Sequence, residues 1–155
     1  MKKNSSSDAK PIVNRRARFD YELGETISAG IVLSGAEVRG ARLGHVRLTG
    51  SYANLKNNEL WLTNMSISIP DTARKDDEDK ERTTARKLLV TKKELAQVEE
   101  AKKQGLTIVP TRLFTTGRFI KIELAIAKGK KVHDKRETIK RRQQDRDTQR
   151  AIKGR

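Results

Sequence analysis

The last 28 residues of the chain, 128–155, limit what the rest can fold into because they cannot supply a hydrophobic core. Twelve of them are Lys or Arg and four are Asp or Glu, so they carry +8 of the chain's net charge of +15. A segment this polar cannot offset the entropy lost on folding by burying apolar surface. Because it is rich in helix-forming residues, we expect a disordered tail that becomes helical on a polyanion. Its few apolar residues are Val132, Ile139, Ala151 and Ile152.

The length of the chain fits one small compact domain with a polar tail at each end. Hydrophobic residues make up 34% of the 155 residues and charged residues 35%, so the core must be small. The Ser-rich residues 1–13 are expected to be disordered. We therefore predict a disordered N-terminus (1–13), a folded body (14–128) and a basic tail (129–155).

The net charge predicts a phosphate-bearing partner, because each phosphate contact releases condensed counterions. An anionic membrane surface is the weaker alternative, because the tail lacks the Trp, Phe and Leu residues that insert into one. The sequence shows no signal peptide and no apolar run long enough for a membrane span, so we expect a cytoplasmic protein. The absence of Cys excludes disulfides and thiolate metal sites.

The sequence predicts neither a metal site nor a catalytic centre. The acidic run at residues 76–79 lacks the spacing of a calcium-binding loop. His45 and His133 are the only histidines, and they lie far apart in the sequence. We expect no cofactor and no enzymatic activity, with a nuclease that depends on His133 as an alternative.

Hydrophobic alternation predicts a mainly β body with two antiparallel hairpins. Short helices are expected at residues 36–43 and from Thr91, where Thr91 and Glu94 form a capping box. About five strands with short connections favour a small closed antiparallel barrel with flanking short helices over a layered α/β fold. The predicted strands are residues 26–33, 46–55 with a bulge at Gly50, 59–69, 107–115 and 119–127. On the third strand, Trp61, Thr63, Met65, Ile67 and Ile69 form the expected core face.

Residues 14–21, N-R-R-A-R-F-D-Y, place three arginines beside two aromatic residues. This segment is either a basic edge leading into the fold or an RNA contact. In the second case, arginine binds phosphate while Phe19 or Tyr21 stacks or packs nearby. The residues alone leave both interpretations open.

Several motifs, in one order along nearly the whole chain, resemble the small protein B family, the tmRNA-binding proteins of bacterial trans-translation. They are G-I-V-L-S-G-A-E-V-R-G-A-R-L-G from Gly30, S-Y-A from Ser51, W-L-x-N-M from Trp61, R-K-L-L from Arg86, V-P from Val109, and L-A-x-A-K-G-K-K-x-H-D-K-R-E-T-I-K from Leu124. The last run is the most specific.

The resemblance implies an oligonucleotide-binding-type (OB-type) barrel that binds the tRNA-like domain of tmRNA. Such a protein enters a stalled 70S ribosome as an adaptor, delivered together with elongation factor Tu. Its tail lies on the rRNA of the small subunit, in the decoding site and the empty mRNA channel, where it becomes helical. We expect a monomer. The alternative, from a different class, is a structural ribosomal-type protein that stays on rRNA.

Site residues follow from the basic segments and from positions that match the family's motifs. Two positions depart from the pattern: Phe19 stands where the family usually has His, and Gly40 where it usually has Ser. We expect tmRNA contacts from Arg16, Arg18, Phe19, Tyr21, Glu37, Arg39, Arg42, Lys87, Leu89, Lys128, Lys130 and Lys131. The expected decoding-site residues are Gly129, His133, Asp134, Lys135, Arg136, Lys140, Arg141 and Arg142.

Overall fold

The computed structural model describes residues 10–70, 81–130 and 132–154. It contains ten strands and four helices within those ranges. In chain order they are β1 (Ile12–Val13), α1 (Arg15–Asp20), β2 (Tyr21–Ile31), α2 (Gly35–Arg42), β3 (Val46–Arg47), β4 (Tyr52–Lys56), β5 (Glu59–Thr63), β6 (Ser66–Ser68), β7 (Glu81–Arg82), β8 (Arg86–Leu89), α3 (Lys92–Lys103), β9 (Thr107–Thr116), β10 (Phe119–Gly129) and α4 (Val132–Lys153).

Six strands form a closed ring in the order β9-β10-β2-β8-β5-β4, and β4 returns to β9 through the pair Ala53 and Ile108. Every described pairing is antiparallel. β1 adds to the outer edge of β9, and β3, β6 and β7 form a small separate sheet. The prediction of a mainly β antiparallel fold with flanking helices is confirmed, and the ring is consistent with an OB-type barrel.

The ring buries one apolar core. Leu62, Ile108, Ile122 and Leu124 are fully buried in it. α3 adds Val98, which is also fully buried in this cluster. Thr91 and Glu94 form the predicted capping box at the start of α3, with the Thr91 hydroxyl accepting from the Glu94 amide. The local start signal and the apolar stripe of this helix therefore agree with its packing.

Two predicted long strands are each broken in two. Residues 46–55 form β3 and β4, because Gly50 adopts a left-handed turn conformation (φ +79°) instead of a bulge. Residues 59–69 form β5 and β6, because Asn64 is also left-handed (φ +65°). Each left-handed residue turns the chain and assigns the two halves to different sheets.

The break at Asn64 also reverses which side chains face the core. Met65 is buried as predicted, but before the break Leu62 is buried while Trp61 is only half-buried. The prediction that Trp61 and Thr63 lie on the core face is therefore wrong. A one-residue change in phase exchanges the two faces of a strand.

The structure describes part of each end of the chain. Ile12 and Val13 pair with β9, so disorder through residue 13 is wrong for these two residues, whereas residues 1–9 lie outside the described part. Ile12 packs against the core, which explains its order. Most of the tail forms α4, and from residue 139 onward its described side chains are exposed. Its helical conformation agrees with its composition, while the dependence of that helix on the ribosome stays a prediction.

A buried ion pair joins α2 to the ring. The side chains of Glu37 and Arg86 are 8% and 3% exposed, and Glu37 Oε1 accepts from Arg86 Nη2 at 2.9 Å and Nε at 3.2 Å. Arg86 Nη1 donates to the Met65 carbonyl at 2.6 Å and to the Thr84 carbonyl at 3.0 Å. The second Glu37 oxygen accepts from the Ser34 amide, which completes the capping box of α2. One carboxylate therefore fixes the helix start and neutralises a buried guanidinium.

We expect Glu37→Gln to lower the free energy of unfolding by about 3–5 kcal/mol, because it leaves the Arg86 charge buried without a counterion. The matched control is Glu59→Gln, which removes the half-exposed Lys87–Glu59 pair (2.8 Å) on the opposite face of β8. That change should cost about 0–1 kcal/mol. Urea denaturation followed by circular dichroism measures both. Equal, small losses would show that the buried pair contributes no more than an exposed one.

Candidate RNA-binding surface

The predicted site residues fall into two groups on the folded chain. The first lies where α1, the end of β10 and the start of α4 meet, and we call it the helix junction. It contains Arg16, Phe19, Asp20, Lys130 and Lys135, which are linked by the contacts given below. The second group lies on α2, β8 and the turn between β9 and β10.

α1 is held against the ring by Asn14, which sequence analysis did not single out. Its Nδ2 donates to the Pro110 carbonyl at 2.8 Å and to the Leu48 carbonyl at 3.3 Å, and the residue is 5% exposed. Its Oδ1 accepts from the Ala17 amide at 3.2 Å as the helix cap. Asn is among the preferred N-cap residues, and no Pro follows Asn14 in residues 15–20. This pattern could have predicted the start of α1 from the sequence. This cap sets where the arginines of α1 point.

The ring of Phe19 lies between two cations. The Arg16 guanidinium is 4.8 Å from the ring centroid, and the Arg142 guanidinium of α4 is 5.9 Å from it. Both distances allow a cation–π interaction. Phe19, where the family's motif has His, therefore binds arginine in this structure. Phe19 therefore contacts both Arg16, a predicted tmRNA contact, and Arg142, a predicted residue of the tail.

Lys130 and Asp20 connect the other parts of the helix junction. The Lys130 amide donates to the Asp20 carbonyl at 3.0 Å, and Lys130 Nζ donates to the Arg18 carbonyl at 3.1 Å. The Asp20 carboxylate pairs with Arg16 Nε at 3.0 Å and with Lys135 Nζ at 3.3 Å. Asp20 thus holds a cation of α1 and a cation of α4 at once, and it fixes the start of the tail against the body.

A hollow with a volume of about 690 Å³ lies beside the helix junction. Arg18, Lys130 and Tyr21 line it together with Arg112 and Glu123. Arg112 pairs with Glu123 and lies over Phe114, 5.3 Å from the ring centroid. Cations and aromatic rings placed together suit phosphate and base contacts. Arg112 is a further candidate contact that sequence analysis missed, since it lies inside an ordinary strand pattern.

The second group surrounds the turn between β9 and β10. Arg42 Nη2 donates to the carbonyls of Gly117 (3.5 Å) and Arg118 (3.4 Å), which ties α2 to that turn. Arg39 is exposed on the same helix, and Leu89 is 54% exposed on β8. Lys87, two residues before Leu89 on the same side of β8, pairs with Glu59.

The structure shows the surroundings of Glu37, a predicted tmRNA contact, and of Gly40, which stands where the family usually has Ser. The Glu37 carboxylate is buried and bound to Arg86 and the Ser34 amide, so its part in binding tmRNA stays a prediction and would act through the position of α2. Gly40 is also buried, and a Cβ there would lie 2.4 Å from the Ser68 carbonyl oxygen. A side chain at position 40 would face the chain itself. Both residues position α2.

The predicted decoding-site residues begin at the end of β10 and continue along α4. Gly129 is exposed, as is Lys128 before it, a predicted tmRNA contact; Lys131, another predicted tmRNA contact, lies outside the described residues. His133 and Asp134 belong to α4, but their side chains are outside the described part. Exposed cations follow on the same helix: Arg136, Lys140, Arg141 and Arg142.

Two kinds of site are absent from the described part of the chain. No group of three or more His, Asp or Glu side chains there lies close enough together to hold a metal ion. None of the helices in residues 10–70, 81–130 and 132–154 combines the length and hydrophobicity that a membrane span requires.

We expect Asp20→Asn to loosen the first turns of α4, because it removes the charge that holds both Arg16 and Lys135. Partly exposed ion pairs contribute up to about 1 kcal/mol each, so amide exchange at residues 135–139 should accelerate about three- to tenfold. Asp147→Asn, near the far end of α4, is the matched control and should leave those amides unchanged. Hydrogen exchange with mass spectrometry measures both. Unchanged exchange in Asp20→Asn would contradict the docking role of Asp20.

Comparison with known proteins assigns a family to this arrangement. Residues 11–154 match the family model described as SmpB protein. An SsrA-binding protein of Ligilactobacillus salivarius is 43% identical over 154 residues, covering 99% of this chain and 98% of the relative. An SsrA-binding protein of Trichodesmium erythraeum is 44% identical over 155 residues, with 99% of each chain covered.

A solved structure agrees with this assignment. A chain from the work described as "tmRNA-SmpB: a journey to the center of the bacterial ribosome" matches with a TM-score of 0.65 and 40% identity, covering 80% of this chain and 87% of that one. The match extends the agreement from sequence to the fold of the body. The chain belongs to the SmpB family.

Proposed function

We propose that this protein is an RNA-binding adaptor that carries the tRNA-like domain of tmRNA to stalled ribosomes for trans-translation. The observation that carries the proposal is the SmpB match over residues 11–154, which includes the ring, both site groups and α4. The two relatives are SsrA-binding proteins, and the similar solved structure concerns tmRNA-SmpB and the bacterial ribosome.

The charge distribution supports a division of labour between body and tail. The helix junction places Arg16, Arg18 and Lys130 on one edge of the ring, while α4 extends beyond it with its cations exposed. A helix with so few buried side chains gains little from packing, so its stability depends on its surroundings. In the proposed function, the body binds tmRNA and the tail lies in the decoding site and in the mRNA channel when that channel is empty.

His133, Asp134, Lys135 and Arg136 act at the decoding site in this proposal. Lys135 is bound to Asp20 in the free protein, so it must leave that carboxylate to reach rRNA. Such an exchange of one anion for another costs little, because the pair is partly exposed and screened by salt. Moving the tail from the body to rRNA therefore costs little free energy at the Lys135–Asp20 ion pair.

The remaining elements of the proposal concern partners and chemistry. The protein acts as a monomer in the cytoplasm, is delivered with elongation factor Tu, and does no catalysis of its own. A second function, that of a permanent structural ribosomal protein, predicts retention on subunits after a high-salt wash. The adaptor should wash off, because its binding is dominated by phosphate contacts that salt weakens steeply.

Truncation after Lys131 should leave the affinity for the tRNA-like domain of tmRNA within about threefold and abolish peptide tagging on stalled ribosomes. The reason is that the truncation keeps the ring and most of the helix junction but removes the cations that would line the channel. Filter binding gives the affinity, and a reconstituted translation reaction on a message without a stop codon gives the tagging.

The matched control keeps the composition of the tail and changes its order. A chain with residues 132–155 scrambled retains the net charge, so it should also bind the tRNA-like RNA and fail to tag. Full tagging by the scrambled tail would show that charge alone suffices. Loss of RNA binding on truncation would show that body and tail do not divide the work as proposed.

A further inference from the structure

A groove runs along one face of α3, beside the first half of β2, and no step above uses it. We call it the α3 groove. Four residues at helical spacing line it from α3, and Glu25 lines it from β2. The four are Lys93, Gln97, Glu100 and Gln104. The predicted site residues include none of these five.

The base of the α3 groove is apolar and continuous with the core of the ring. Leu106 and Ile126 line the groove and pack, partly buried, against that core. Ala101 of α3 is buried in the same cluster, and Ala96 lies exposed one turn before it. An apolar base with longer polar side chains around it is the usual arrangement of a protein-binding site.

The shape of the α3 groove fits a segment of polypeptide chain. Its volume is about 590 Å³. From Lys93 to Gln104 the helix rises about 16 Å, at about 1.5 Å per residue. An extended peptide covers that length with about five residues. A groove that follows a helix face for three turns holds such a segment better than it holds a compact small molecule.

β2 has a free edge beside the α3 groove. β10 pairs with one edge of β2 along residues 21–30, whereas β8 pairs with the other edge only at Gly30 and Ile31. Within the part of the chain that the structure describes, no strand pairs with this second edge at residues 22–29. Residues 24–26 are also exposed. Unpaired amide and carbonyl groups along a strand edge are a template for a further strand, and proteins bind extended peptides in this way.

The charges of the α3 groove favour a cationic ligand over RNA. Glu25 and Glu100 line it together with one cation, Lys93. Glu100 accepts a hydrogen bond from Gln104 at 3.4 Å, and neither carboxylate pairs with a Lys or Arg of the described ranges. The hollow beside the helix junction, by contrast, is lined by more cations than carboxylates. Two unpaired carboxylates repel phosphate and attract cations.

We infer that the α3 groove binds an extended, positively charged segment of a ribosomal protein. The segment adds to the free edge of β2, and its cations lie beside Glu25 and Glu100. An apolar side chain of the segment packs on Leu106 and Ile126. This inference rests on the proposed function, which brings the body next to the proteins of the stalled ribosome. It adds a protein contact to the RNA contacts of the adaptor.

Site-specific cross-linking tests the class of partner. Gln97 is replaced by p-benzoylphenylalanine in the full chain, which is bound with tmRNA to purified ribosomes stalled on a message without a stop codon. Irradiation should join position 97 to a segment of a ribosomal protein that is rich in Lys and Arg, as identified by mass spectrometry of the cross-linked peptides. Glu99, exposed on another face of α3, carries the probe in the matched control and should not give this product. No product from position 97, or a product with rRNA or tmRNA, overturns the inference.

Charge reversal tests the role of the carboxylates. Glu100→Lys and Glu99→Lys change the net charge equally, but only Glu100 lines the groove. Glu100→Lys should slow peptide tagging about 3- to 10-fold, because a cation then faces the cations of the segment. Glu99→Lys should stay within about twofold of the wild type. Equal tagging by the two variants contradicts the inference, and a melting temperature for each confirms that the fold is intact.

The same two variants separate a protein ligand from RNA. Fluorescence anisotropy with the transcribed tRNA-like domain of tmRNA gives Kd, which should stay within about twofold of the wild type for both. If RNA occupied the α3 groove, Glu100→Lys alone would bind it more tightly and increase the magnitude of the salt slope by about one. That result overturns the inference.

Amide exchange tests the addition of a strand to β2. Residues 24–26 should exchange about tenfold more slowly in the ribosome complex than in the complex with the tRNA-like domain alone, because the added strand binds their backbone groups. Unchanged exchange there contradicts strand addition. A wild-type protein that binds the tRNA-like domain no better than an ordinary tRNA overturns the proposed function itself. A selective wild type that tags normally but gives no product from position 97 overturns only the contact at the α3 groove.

Discussion

The Glu37–Arg86 ion pair is the interaction on which the arrangement of the second site group depends. A buried guanidinium is tolerated only with a counterion and with its remaining donors satisfied. Here one Glu37 oxygen and the carbonyls of Met65 and Thr84 meet that requirement. The pair thereby connects α2, the start of β8 and Met65, which lies between β5 and β6.

The consequence is that α2 and β8 are held as one unit that presents its outer residues. Gly40 allows α2 to approach Ser68 so closely that no side chain fits between them. Arg42 then reaches the turn that precedes Phe119, and Leu89 emerges from the strand that Arg86 begins. The family motif that contains Glu37 and the one that contains Arg86 are therefore joined by one buried ion pair. Their shared role is to position the surface on which Arg42 and Leu89 lie.

Local signals in the sequence predicted the elements that are stabilised locally. The Thr91–Glu94 capping box begins α3, and a two-residue turn with both residues left-handed, Asn57 and Asn58, closes the hairpin between the predicted strands 46–55 and 59–69. The core face of β5 could not be predicted, because Asn64 changes the phase and its left-handed conformation is set by two sheets that meet there. The burial of Glu37 was equally hidden, since its partner lies 49 positions away. Long-range pairing, not propensity, decided both.

The helix junction shows why the basic tail cannot be treated as separate from the body. Charge density alone predicts a tail repelled by the equally basic α1. Asp20 offsets this repulsion locally, because its carboxylate binds one cation from α1 and one from α4. The ring of Phe19 likewise contacts one arginine from each helix. These contacts are weak and exposed, so a polyanion competes with them effectively. RNA that binds Arg16 on the body would withdraw it from Asp20 and Phe19, which leaves Lys135 and Arg142 with altered partners. Binding at the body and the contacts of the tail are in this way linked through two side chains, Asp20 and Phe19.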